Sequence, residues 1–264
     1  MTLTLEIRDA GGQTRARSSA EEETVLFFRD TYQPGDTIIL NTDQPNTHLI
    51  ISLDDALPPV PVYLAGDSYT LPIPFDLAKK AYSPKTFSGD MHRISARLAL
   101  ANEIVGFRNL ALNPYDHSGN DSLFPRCEAT IITRNEAAFA ARNAIDGETA
   151  NADHGFWPFT SWGINRDPEA ALTVHFGRTV QIEALGLYLR ADFPHDAWWE
   201  QASITFSDGH TERVSLKKTE KAQRFEIAAR KVEWLRLDDL IKADDPSPFP
   251  ALTQIEAWGR DLVQ

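Results

Sequence analysis

Two short runs in the second half of this 264-residue chain set aromatic rings beside carboxylates, imidazoles and a guanidinium. They are His154-Gly155-Phe156-Trp157-Pro158-Phe159-Thr160-Ser161-Trp162 and Arg190-Ala191-Asp192-Phe193-Pro194-His195-Asp196-Ala197-Trp198-Trp199. Flat amphipathic rings cover the apolar face of a pyranose, while neighbouring Asp, His and Arg side chains hydrogen-bond its hydroxyls. The candidate ligand-binding residues are therefore His154, Phe156, Trp157, Arg190, Asp192, Phe193, His195, Asp196, Trp198 and Trp199. Pro158 stiffens the first run, which lowers the entropy lost on binding. In an extended segment Trp198 and Trp199 point to opposite faces, so at least one of the two rings is expected to be exposed.

The same residues admit other chemistry. Asp192 and Asp196, or one of them with His195, have the functional groups of a general acid and base for glycoside hydrolysis or elimination. An exposed aromatic patch also suits a protein partner, including a second copy of the chain. The sequence contains no nucleotide-binding glycine loop, serine-nucleophile elbow or Cys/His metal cluster. The reading is of a non-catalytic saccharide binder, with no catalytic residue assigned and no organic cofactor. A sugar-active enzyme and an interaction scaffold are the alternatives.

Composition narrows the partners. The formal net charge is −12 and neither half is basic, which argues against nucleic acid and anionic membranes as ligands. The opening Met1-Thr2-Leu3-Thr4-Leu5-Glu6-Ile7 alternates from its first residues, without a basic n-region or an apolar h-region, and predicts a strand. The one cysteine, Cys127, forms no intramolecular disulfide, and a cytoplasmic location is the default expectation.

The elements that must position these residues are strands. Short alternating runs occupy 2–7, 24–28, 37–40, 48–53, 61–64 and 93–100, separated by turn signals such as Gln33-Pro34-Gly35-Asp36. Residues 76–82 supply at most one short helix. In the second half Leu172, Val174 and Phe176, then Leu185, Leu187 and Leu189, alternate with other residues, and Asp208-Gly209 predicts a hairpin turn. A helix is expected over 136–144, capped by Asn135. The pattern predicts an all-β protein of two β-sandwich domains, residues 1–108 and 109–264.

From Asn109-Leu110-Ala111 onward a series of landmarks appears in order: Asn143-Ala144-Ile145-Asp146-Gly147, Trp162, Leu172-Thr173-Val174-His175-Phe176-Gly177, Val232-Glu233-Trp234-Leu235-Arg236-Leu237 and Ile255-Glu256-Ala257-Trp258-Gly259. In these, residues 109–260 resemble a discoidin, or coagulation-factor type C, module of the galactose-binding-domain-like fold. The resemblance implies a jelly-roll sandwich, a saccharide ligand without catalysis, and a structural calcium ion near Asp146, Thr149 and Glu256. It implies that Trp162 is structural. His175 departs from the carboxylate frequent in that strand, and the 192–199 loop is no general family feature. Residues 1–108 carry no such resemblance.

Overall fold

Alternation of the kind seen at Leu3, Leu5 and Ile7 places every second side chain on one face of a strand, and the fold follows from burying those faces. A computed structural model of the protein describes residues 1–151, 155–191 and 197–262. It is an all-β structure of antiparallel sheets. The first part supplies β1 (Thr2–Arg8), β2 (Thr14–Glu21), β3 (Glu23–Phe28), β4 (Thr37–Thr42), β5 (Thr47–Ser52), β6 (Val60–Leu64), β7 (Ser68–Pro72) and β8 (His92–Leu98), with short helices α1 (Asp76–Lys79) and α2 (Ala101–Val105). The second part supplies β9 (Arg108–Asn109), β10 (Leu123–Phe124), β11 (Arg126–Ala129), β12 (Trp162–Gly163), β13 (Leu172–Leu189), β14 (Trp199–Phe206), β15 (Thr211–Ser215), β16 (Gln223–Lys242) and β17 (Ala251–Asp261).

A sheet in the order β2-β1-β4-β7 and another in the order β10-β6-β5-β8-β3 contribute to one core, which includes Leu3, Leu40, Ile51 and Leu71. The second core gathers Trp162, Leu172, Phe176, Leu187, Trp199, Phe206, Leu235 and Ile255 from the ladder β12-β17-β13-β16-β14-β15. Strand β13 enters this ladder between β11 and β16 and continues, after an irregularity between His175 and Val180, between β17 and β16. Gly177 sits in that irregularity at φ +69°, where an added Cβ would meet the ring of Phe124 at 2.4 Å. The backbone conformation and the close approach both favour glycine.

Two expectations need correction. The division at residue 108 is not clean, because the chain returns to the first core before committing to the second. Tyr115 and Leu123 are buried among the first core's residues, and β10 pairs with β6, satisfying backbone groups on that edge. The helix over 136–144 is replaced by separate 3-10 turns at Thr133–Asn135, Ala137–Phe139 and Ala141–Ala144. Arg134 and Asn135 adopt positive φ, and the extended residues Glu136 and Ala140 interrupt the turns. Asn143 Nδ2 donates to the carbonyls of Ala137 and Ser161, fastening the irregular segment in place.

The two cores are joined by buried charge. Arg142 donates to the carbonyls of Ala81, Pro114 and Asp116 and lies over the Tyr82 ring at 4.3 Å. Asp261 at the end of β17 accepts from Arg108 and Arg178, with His48 of the first core 3.4 Å away. Arg178 also lies 5.0 Å from the centroid of the Tyr63 ring.

Candidate functional site

Three neighbouring strands end side by side beneath a cleft. Gly163 of β12 pairs with Ala251 of β17, and the backbone N–H of Arg190, just past β13, donates to the Ala251 carbonyl at 2.9 Å. Gly163 also makes room for the segment above it. A Cβ there would come within 2.5 Å of Thr133 Oγ1 and 3.4 Å of Phe139 Cβ, so a larger residue would push away the turns that form the wall.

The cleft has two adjoining lobes that share Arg134, Phe139 and Arg190. One, of about 240 Å³, is completed by residues including Thr133, Ser161, Ile164, Asn165, Arg166, Phe249 and Pro250. The other, of about 300 Å³, is completed by Lys80, Glu136, Ala138, Gly155 and Phe159. Two guanidinium–ring pairs belong to this site: Arg166 lies 4.4 Å from the Phe249 centroid and Arg134 lies 5.2 Å from that of Phe139. Each pair joins an apolar surface to a planar donor group.

Backbone conformation also marks the cleft. Arg134, Asn135, Asn165 and Arg166 all have positive φ, which costs energy for residues bearing a Cβ. The two strained pairs meet where the backbone N–H of Arg134 donates to the side-chain Oδ1 of Asn165 at 3.5 Å. Thr133 Oγ1 accepts from the Asn165 N–H at 2.9 Å. Ser161 is fully buried in the wall, and its hydroxyl has no hydrogen-bond partner among the described residues.

Among the described lining residues, Lys80, Arg134, Arg166 and Arg190 are basic and Glu136 is acidic. Glu136 pairs with Arg134 through bonds of 2.6 and 3.0 Å, and that pairing holds its carboxyl below the usual range. Arg190 is 4% exposed, and its Nη1 donates to the Phe159 carbonyl. This contact joins the candidate Arg190 to the first aromatic run.

The sequence-derived candidates are distributed unequally around this cleft. Arg190 is part of it, and Phe156, 76% exposed, follows Gly155 at its edge. Trp157 instead lines a separate groove of about 360 Å³ with Tyr82, Pro58 and Asp146. Trp198 is half-buried against the second core, with Lys218 Nζ 5.1 Å from its ring centroid. His154, Asp192, Phe193, His195 and Asp196 lie outside the described residues.

Trp199 requires correction as a ligand platform. It is 1% exposed, and its ring centroid lies 6.3 Å from that of Trp162, so both rings belong to the second core. The alternation of β14 directs Trp199 inward and leaves Trp198 at the margin.

The residues expected to hold calcium do not fit that ion. Asp146 Oδ1 accepts from Gln254 Nε2 at 2.7 Å and from the Glu148 N–H at 2.9 Å, while Arg142 lies 3.5 Å from Oδ2. Gln254 also accepts from the Gly147 N–H and donates to the Asn143 carbonyl. A neutral amide thus ties this turn together, and the adjacent guanidinium opposes a second cation. Thr149 is exposed, and Glu256 Oε2 accepts from Trp258 Nε1 at 2.8 Å.

Sequence reading missed Arg134, Phe139, Asn165, Arg166 and Phe249. Their traces are slight: the Arg134-Asn135 and Asn165-Arg166 pairs contain a residue tolerant of left-handed backbone, and Pro248-Phe249-Pro250 isolates a ring between rigid neighbours.

Fold and cleft together define an all-β protein with a preformed, polar-aromatic recess beside the second core. No family model and no curated protein matches the chain. Among solved structures it is similar to chitosan-binding module 1 from a chitosanase/glucanase of Paenibacillus sp. IK-5, at 18% identity over 58% of this chain and 99% of that module, with a TM-score of 0.37. It is similar also to the family 32 carbohydrate-binding module of C. perfringens NanJ, solved in complex with galactose, at 15% identity over 50% and 91% of the respective chains, with a TM-score of 0.39. A Streptococcus pneumoniae fucose binding module matches at 12% identity over 59% and 97%, with a TM-score of 0.40.

Proposed function

We propose that this protein is a non-catalytic carbohydrate-binding protein and that the cleft between Arg134, Arg166, Arg190 and Phe249 receives the saccharide. The observation that carries this reading is the joining of aromatic surfaces to fixed polar groups on strained but well-anchored backbone. Phe139, Phe249 and Ile164 offer apolar surface for a sugar's C–H face. Asn165, Thr133 and the arginines offer donors and acceptors suited to hydroxyls.

A preformed site loses little entropy on binding, but each sugar hydroxyl must exchange water for protein. Affinity in the millimolar to micromolar range, about −4 to −8 kcal/mol, is therefore expected. Calorimetric titration of the full chain and of Phe249→Ala with a panel of oligosaccharides tests the assignment. A saccharide that binds the parent and weakens on this substitution supports it; equal binding by both proteins contradicts it.

A further inference from the structure

We infer that Ser161 is a specificity-determining contact of this cleft, whose buried hydroxyl pairs with one free hydroxyl of the saccharide. This inference rests on the carbohydrate-binding reading above and names the feature of the sugar that the site selects. Ser161 is 0% exposed and lines the larger lobe, and its Oγ has no hydrogen-bond partner among the described residues. A hydroxyl buried without a partner costs folding free energy, and at the wall of a recess a ligand can remove that cost by supplying the missing hydrogen bond.

Local structure sets the direction of this side chain. Trp162 and Gly163 form β12 and pair with Leu252 and Ala251. Trp162 packs in the second core, whereas a Cβ on Gly163 would meet Thr133 and Phe139 in the cleft wall. Side chains alternate along a strand, so Ser161, one residue before β12, shares the side of Gly163 rather than that of Trp162. The main chain here is already bonded: the Ser161 N–H donates to the Ala138 carbonyl at 3.1 Å, and the Ser161 carbonyl accepts from Asn143 Nδ2 at 3.3 Å. These bonds fix the segment, and the Ser161 hydroxyl takes no part in holding it. Thr160 provides the contrast, because its hydroxyl is also buried and unpartnered but it is not among the residues lining either lobe. A hydroxyl both donates and accepts, so Ser161 can meet a sugar hydroxyl in either role. A sugar lacking that hydroxyl would leave Ser161 unpaired and is rejected for that reason.

Calorimetry on the full chain tests the inference with the methyl glycosides of glucose, galactose, mannose and fucose, followed by the monodeoxy analogues of whichever binds most tightly. Ser161→Ala should bind that glycoside about tenfold more weakly than the parent, the size of one hydrogen bond, while its thermal transition is no lower. One monodeoxy analogue should lose about as much on the parent, and should bind the parent and Ser161→Ala equally, because both changes remove the same hydrogen bond. Thr160→Val, which removes a buried hydroxyl outside the lobes, should bind as the parent does. Parent-like binding by Ser161→Ala, or losses that add for every analogue, overturns the role of Ser161 and leaves the carbohydrate reading intact. A Ser161→Ala protein that loses stability along with affinity also overturns it, since the hydroxyl would then be structural. No binding of any glycoside by the folded parent overturns both.

Discussion

The guanidinium of Arg166 lies 4.4 Å from the ring centroid of Phe249, at the mouth of a cleft whose backbone takes positive φ at Arg134-Asn135 and at Asn165-Arg166. Holding a flexible cation over a rigid ring restricts its motion before any ligand arrives, which lowers the ordering cost of binding. A second pair, Arg134 on Phe139, repeats the device in the shared part of the cleft.

Phe249 should therefore matter for binding more than for folding. Its side chain is 43% exposed. In Phe249→Ala, saccharide affinity should fall about fivefold to tenfold, corresponding to roughly 1–1.4 kcal/mol, within the range of aromatic contacts. The thermal transition should stay close to that of the parent, which differential scanning calorimetry reads directly.

Trp199 should show the opposite behaviour. Removing its buried ring in Trp199→Ala should lower the unfolding free energy by about 3–5 kcal/mol, as expected for a large core aromatic. Trp199→Phe should recover much of that loss. Its saccharide affinity should equal the parent's, because the ring packs on Trp162 in the core.

Gly163 links packing to the site. Replacing it with Val would place side-chain atoms against Thr133 and Phe139, where an added Cβ already meets Thr133 Oγ1 at 2.5 Å. Overpacking of this kind costs roughly 1–3 kcal/mol. Titration of Gly163→Val, under conditions where circular dichroism shows a folded protein, should find binding weakened by displacement of the 133–139 wall.

Acid should affect stability in two opposed stages. Burial raises the carboxyls of Asp116 and Asp146 from 3.8 to about 6, against the pull of their hydrogen bonds and of Arg142. The folded state therefore binds these protons more tightly than the unfolded state, and their contribution to stability grows as pH falls from about 6 toward 4. Burial also acts to raise Asp261, but the contacts from His48, Arg178 and Arg108 outweigh it and leave the carboxyl below its usual value. Its contribution is present above about pH 4 and is lost on further acidification. Denaturant titrations across this range should show the low-pH loss reduced in Asp261→Asn and the gain between pH 6 and 4 reduced in Asp146→Asn.

Period-two alternation made the strands readable, because burial of a strand face writes itself directly into local sequence. The run at 2–7 became β1 and the run at 93–100 contains most of β8. β2 carries no such signal, because its Thr14–Glu21 segment is largely polar on an outer strand. The Ala-rich 137–144 segment has helical composition, but the bonds from the Asn143 side chain to the carbonyls of Ala137 and Ser161 and the left-handed residues before the segment favour separate turns. Arg190 and the exposed Phe156 could be picked out by residue type. Phe249 could not, because 58 residues of chain separate it from Arg190 before the ladder brings them to one cleft.

The most direct measurement is mapping of backbone amide shifts as a bound saccharide is titrated into isotopically labelled protein. The perturbed amides should cluster at 133–139, 163–166, 190 and 249–251. Perturbations centred instead on the Trp157 and Tyr82 groove, with these segments unchanged, would contradict the cleft as the binding site.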